Sequence, residues 1–181
     1  MIGSNQLLFN LLIERGFQVS QFGHNSNPSI DFNSLTINDS IKSLIDKQRT
    51  NNFIILSGFL QSKKITDQTR DEITKSFFIN SIGPILFAEY LLKINSNARL
   101  IILGSESGYK GSYDLSYALA KSSLKLYIKQ KKTKENQQLI LLSPSTIENF
   151  GMTNRRLDQD RLDSYKSQHP MNRFLNPNEL S

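Results

Sequence analysis

The chain predicts a single α/β domain built on a parallel sheet, with helices on both faces. Three observations predict it. Apolar runs of strand length recur: Phe53-Ile54-Ile55-Leu56, Leu100-Ile101-Ile102-Leu103 and Leu139-Ile140-Leu141-Leu142. Helix-length segments with apolar residues three and four apart separate them. Such alternation requires crossover connections, which are right-handed and set the strands side by side in parallel. All 181 residues fit one domain, 1–181, with a sizeable core and no repeat or low-complexity linker.

In chain order, Leu7, Leu8, Leu11 and Leu12 mark a first helix. Ser4 or Asn5 can cap its start, and Gly16 suits the position just past its end. Phe17 to Phe22 read as a strand, and Ile37 to Ile45 as a second helix. The Phe53 run reads as a short buried strand. Asp71 to about Leu92 form a long helix rich in Phe, Ile and Leu. The Leu100 strand, a helix through Tyr117 and the Leu139 strand follow. The sum is a Rossmann-like, doubly wound parallel sheet, a fold that binds ligands beyond the carboxyl ends of its strands.

Composition removes several function classes. Cysteine is absent, which excludes disulfide scaffolds, cysteine nucleophiles and cysteine–zinc sites. The two histidines, His24 and His169, lie far apart and form no metal pattern. No apolar run is expected to reach the length of a membrane span, and no signal peptide precedes the first helix, so a cytoplasmic protein is expected. The net charge is +6, yet the basic residues are scattered. The exception is Lys125, Lys129, Lys131, Lys132 and Lys134 near one helix end, where cations suit the dipole. Tyr127 is the one aromatic among them, too little for a stacking surface, which argues against a nucleic-acid partner. A basic surface also suits an anionic cofactor or substrate.

The chemistry concentrates around Tyr117 and Lys121. Residues four apart share a helix face, so phenol and ammonium can point the same way. A nearby cation favours the phenolate, and a tyrosine tuned in this way transfers protons near neutral pH. The pair alone is equally compatible with an amphipathic helix carrying a surface lysine. Ser105 adds weight, because it follows the Leu100 run and so stands at a strand's carboxyl end. Asn80 adds more. Pro84 has no N–H to offer the carbonyl four residues back, which is that of Asn80. A helix opened there can hold a relay water linking Lys121 to solvent, or Gly83-Pro84 simply kinks a buried helix.

Asn80, Ser105, Tyr117 and Lys121, in this order and spacing, resemble the catalytic tetrad of the short-chain dehydrogenase/reductase family. The resemblance covers nearly the whole chain. It implies an NAD(P)-dependent oxidoreductase that interconverts a carbonyl and a secondary alcohol on a small molecule. Tyr117 is then the general acid or base. Lys121 lowers its pKa and holds the nicotinamide ribose, Ser105 binds the substrate oxygen and Asn80 anchors the relay water. No metal is implied. The resemblance also implies that the long Phe77–Leu91 helix and the Ser116–Lys129 helix pair across a two-fold axis, giving a homodimer or homotetramer.

Further segments resemble the family's cofactor site. Gly3, Ser4 and Asn5 stand where its glycine-rich turn lies, with Gly3 the only glycine kept. Asp31 and Phe32 resemble the adenine-holding segment. Ser57 and Gly58 take the place of Asn-Ala-Gly. Pro144 to Ile147 resemble the Pro-Gly segment beside the nicotinamide. No Asp or Glu follows Phe22 to bind the ribose hydroxyls of NAD, which tilts the choice between NAD and NADP toward NADP. Gly151 to His169 fall where the family's substrate lid lies. Relative to the family, the first and last strands look truncated. That departure supports an alternative reading: a dehydrogenase-like protein with impaired cofactor binding that acts as a non-catalytic binding or regulatory partner.

Overall fold

The computed structural model describes residues 5–23, 30, 32, 39–48, 50–148, 152–155 and 158–180. Three strands, β1 (Asn52–Ile55), β2 (Arg99–Leu103) and β3 (Gln138–Leu142), form a parallel sheet in the order β1-β2-β3. The register sets Phe53 beside Leu100 and Leu100 beside Leu139. Side chains alternate across a strand, so Phe53, Ile55, Leu100 and Ile102 share one face, and all four are buried. That face packs against Phe87, Ala88, Leu91, Leu92 and Leu124 from the helices, and together these form the core. The parallel α/β fold read from the sequence is the fold observed.

Helix α1 (Gln6–Glu14) begins at Asn5, whose side chain accepts from the Leu8 N–H at 3.0 Å. It ends at Gly16, which takes φ 84°. There the Gly16 N–H donates to the Ile13 carbonyl and the Phe17 N–H to that of Leu12, the paired bonds that close a helix on a left-handed glycine. Helix α2 (Asp39–Gln48) covers the described part of the expected second helix, and Ile37 lies outside the described residues. Residues 17–21 are not a strand, and only Phe22 makes a bridge. Alternating apolar residues are not enough. A strand also needs a regular ladder shared with a neighbouring strand, and among the described residues of this segment only Phe22 is in a bridge.

The long helix forms in three pieces. Helix α3 (Arg70–Phe77) opens on a capping box, in which Thr69 accepts from the Glu72 N–H and Glu72 from the Thr69 N–H. A π-turn, Phe78–Ile82, follows, and helix α4 (Gly83–Ile94) completes the run. The Gly83 N–H donates five residues back, to Phe78. The opening expected at Asn80 coincides with this π-turn. Joined in this way, Arg70–Ile94 is long and apolar enough to cross a membrane, which corrects the expectation that no run reaches that length. Much of its apolar surface is already committed to the core through Phe87, Ala88, Leu91 and Leu92.

Helices α5 (Ser107–Lys110), α6 (Leu115–Gln130) and α7 (Gln159–Gln168) complete the helical set among the described residues. The apolar β runs suggested strands buried on both faces. On the second face, however, Ile140 and Leu142 are exposed and Ile54, Ile101 and Leu103 only half-buried.

Gly83 is a position where the fold needs a missing side chain. A Cβ there would lie 2.5 Å from the Phe32 Cβ. Helix propensity alone favours alanine over glycine by about 1 kcal/mol. Overpacking typically costs about 1–3 kcal/mol. The clash is therefore expected to dominate, so Gly83→Ala should lower the unfolding free energy in a urea titration. A more stable variant would show that Phe32 moves aside freely.

Candidate active site

Helix α6 presents the Tyr–Lys pair, and Asp114 sets its first turn. The Asp114 carboxylate is fully buried and accepts four hydrogen bonds. Oδ1 takes the Tyr117 N–H at 3.1 Å, the Ser116 hydroxyl at 2.7 Å and the Gln68 amide at 2.9 Å. Oδ2 takes the Gln61 N–H at 2.7 Å. One carboxylate thus caps α6, where the dipole favours an anion, and ties it to the loop that follows β1. The motif reading passed over Asp114, although an Asp three residues before Tyr117 is itself a helix-start signal.

Glycine lets α5 approach α6 backbone to backbone. A Cβ at Gly108 would lie 2.9 Å from the Lys121 carbonyl carbon, so only glycine fits without movement. This approach fixes the short α5, with Ser105 just ahead of it, against the helix that carries Tyr117.

At the carboxyl ends of the strands lies a cavity of about 750 Å³. Ser105, Tyr117, Gly58, Pro144 and Ile147 all line it. The Ser105 hydroxyl accepts from the Ser107 N–H at 3.2 Å. Lys121 lies behind Tyr117, with Nζ 5.9 Å from the ring centre. The ammonium is buried and donates to the Leu103 carbonyl at 2.7 Å and the Ser57 carbonyl at 3.1 Å. Neither acceptor carries charge, and burial pushes its pKa down to about 7. The cation expected to tune the phenol is therefore itself close to titrating at neutral pH.

Asn80 is buried and is absent from the cavity lining. Its side chain is fully engaged. Oδ1 accepts from the Phe59 N–H at 2.8 Å, and Nδ2 donates to the Phe59 carbonyl at 2.7 Å and to the Ser76 hydroxyl at 3.2 Å. With the side chain spent, a relay role would fall to its backbone carbonyl, to which Pro84 has no N–H to offer.

The expected cofactor residues divide. Asn5 lines the cavity while capping α1. Gly3, Ser4 and Asp31 lie outside the described residues. Phe32 packs edge-on against Phe87 with centroids 6.1 Å apart, on the core side of the chain and not in the cavity lining. Ser57 contributes its carbonyl to Lys121, and its hydroxyl is buried without a partner among the described residues. Gly58 forms cavity wall, where a Cβ would meet the Met152 Cε at 3.2 Å. Beyond β3, Thr146 and Glu148 hydrogen-bond to Leu175, which holds the Pro144–Ile147 segment in place.

These groups fit the nicotinamide-ribose half of a dinucleotide. An ammonium has three donors, and Lys121 spends two on carbonyls. Lys121 and Ser57 lie just behind the cavity lining, with the Ser57 hydroxyl unpartnered among the described residues beside Gly58, while Gly58 and Tyr117 line the cavity.

The buried lysine yields a signed prediction. Its folded pKa lies below its unfolded value of 10.5, so between about pH 10.5 and 7 the unfolded chain holds a proton that the folded chain lacks. Wild-type stability should rise with pH across this window, by up to about 1.4 kcal/mol per unit from this group. Lys121→Met removes the effect. Its stability relative to wild type should be highest near pH 7 and fall toward pH 9.5 in urea melts. A pH-independent difference would mean that the lysine keeps an ordinary pKa.

No protein-family model and no curated protein sequence matches the chain. Solved structures do. An oxidoreductase of the short chain dehydrogenase/reductase family from Burkholderia thailandensis superposes with a TM-score of 0.78 at 14% identity, covering 97% of this chain and 76% of that one. A short chain dehydrogenase from Leptospira borgpetersenii serovar Hardjo-bovis, with bound NAD+, gives 0.73 at 17% identity over 97% and 77%. A 4-hydroxyisoleucine dehydrogenase complexed with NADH gives 0.70 at 16% identity over 97% and 81%. The chain has the fold of these short-chain dehydrogenases and reductases.

Proposed function

We propose that this protein is an NAD(P)-dependent oxidoreductase that interconverts a carbonyl and a secondary alcohol on a small molecule. One observation carries the reading. Ser105 and Tyr117 line one cavity at the sheet's carboxyl edge, with the Lys121 ammonium buried behind the phenol. When bound, the nicotinamide supplies or accepts the hydride. The chain's own residues do the rest. The Ser105 hydroxyl holds and polarises the substrate oxygen. Tyr117 delivers a proton to that oxygen in reduction and removes it in oxidation. Lys121 orients the nicotinamide ribose with its remaining donor and, while charged, favours the phenolate. Asn80 anchors a relay water through its backbone carbonyl. Its side chain steadies the loop bearing Ser57 and Gly58, the wall against which the cofactor lies.

The two ligand-bound neighbours carry NADH and NAD+. The absence of an acidic residue after Phe22 tilts this chain toward NADP. We place the protein in the cytoplasm as a homodimer or homotetramer. Support for assembly comes from Leu115, Leu119 and Leu126 on α6 and Leu86 on α4, which are apolar and exposed. A second reading, a non-catalytic binding partner, rests on the single glycine ahead of α1. Each phosphate-directed N–H that is lost removes about 1.5–3 kcal/mol of charge-assisted bonding.

Fluorescence titration with NADH and NADPH, followed by turnover of a ketone panel, separates the readings. The enzyme reading expects weak, high-micromolar cofactor binding and measurable turnover. It also expects Tyr117→Phe to cut that turnover by about 10²–10⁴-fold with the fold intact. Turnover that survives in Tyr117→Phe would sink the assignment of Tyr117. Absence of any cofactor binding would favour the partner reading.

A further inference from the structure

The outer part of the same cavity carries charge that the hydride chemistry does not use. Among the described residues lining it, the acidic and basic side chains are Glu106, Lys110 and Arg161. Lys110 is neutralised by Glu106, with Nζ and Oε2 2.8 Å apart. The other cations of the carboxyl-terminal segment that carry ion pairs are also spoken for, Lys166 by Glu148 at 2.9 Å and Arg173 by Glu179 at 2.7 Å. Arg161, in the first turn of α7, has no carboxylate partner among the described residues. Its guanidinium lies over the Tyr113 ring instead, 5.1 Å from the centroid.

That arrangement has a chemical consequence. Stacking occupies a face of the guanidinium and leaves its N–H edge unspent. The edge presents parallel donors that match a carboxylate in bidentate fashion. Tyr113 precedes Tyr117 by four residues, and both side chains line the cavity. The platform under Arg161 therefore belongs to the same loop and helix start as the candidate proton donor. Because the paired Lys110 and Glu106 cancel, the lining keeps one net positive charge, and the rest of it is apolar or neutral.

We infer that the substrate is a carbonyl or alcohol that also bears a carboxylate, and that Arg161, seated on Tyr113, binds this carboxylate and sets substrate preference. The redox half rests on the oxidoreductase reading above, whereas carboxylate binding by Arg161 does not.

The test uses the full chain and three oxo acids of increasing reach, α-ketobutyrate, acetoacetate and levulinate, each beside its methyl ester. Ligand-observed NMR measures binding without cofactor, and NADH or NADPH oxidation measures turnover. At least one acid is expected to bind about ten-fold more tightly than its ester, the size of one charge-assisted contact at a partly exposed site. The preference should shrink as salt is raised. Arg161→Met should abolish it, and Arg161→Lys should keep part of it, with circular dichroism confirming the fold of both. Failure of every acid to outbind its ester overturns the inference, as does an acid preference that survives in Arg161→Met. Arg161-dependent acid binding with no turnover of any substrate would uphold carboxylate recognition and count against the oxidoreductase reading instead.

Discussion

The buried ammonium of Lys121 ties the site to the fold. It donates to a carbonyl in the last position of β2 and to another just beyond β1, so one side chain bridges the carboxyl ends of adjacent strands. Among the described residues no acidic side chain pairs with it. The desolvation cost is met only by backbone dipoles, and the lowered pKa is the sign of that imbalance. A lysine held in this way sits close to a protonation change without leaving its place. Its position depends on α6 being set correctly, which in turn depends on Asp114 at the helix start and on the bare backbone of Gly108 beside it.

The loop after β1 is the other half of this construction. Asn80 clamps both backbone polar groups of Phe59, Asp114 holds the Gln61 N–H, and Lys121 holds the Ser57 carbonyl. Three side chains therefore hold three alternate residues, Ser57, Phe59 and Gln61. Each contact satisfies a backbone group that would otherwise be buried unpaired, at a cost of roughly 1–3 kcal/mol per group. The residues on either side of the Gly58 wall are held by these contacts.

Much of the fold was legible because strand length and helix period are local signals. The three β runs, the stop at Gly16 and the long helix all follow from spacing and from glycine and proline chemistry. Residues 17–21 misled for the opposite reason: alternation says a segment can be a strand, while pairing depends on a neighbour elsewhere in the chain. The site was legible where one helix sets the spacing, as with Tyr117 and Lys121. It was less so where contacts span distant segments. Nothing local announces that the side chain of Asn80 is spent on Phe59, that Phe32 turns into the core beside Phe87, or that burial brings Lys121 close to titrating. Asp114 is an intermediate case, visible as a cap but not as a tie to Gln61 and Gln68.

The π-turn at Phe78–Ile82 acts as a phase shifter. An α-helix turns about 100° per residue, and a π-turn accommodates one residue more than an α-turn. The side chains before and after it therefore point along different headings than one unbroken helix would allow. Asn80, inside the turn, faces the loop at Phe59 and also bonds Ser76 one turn upstream, while downstream Phe87, Ala88 and Leu91 face the sheet. The same helical run thereby serves two neighbours that a regular helix would satisfy only one at a time. Removing a single residue from this turn would leave the helix intact by length and propensity, yet it would rotate the clamp on the loop and the apolar stripe on the sheet out of step with each other.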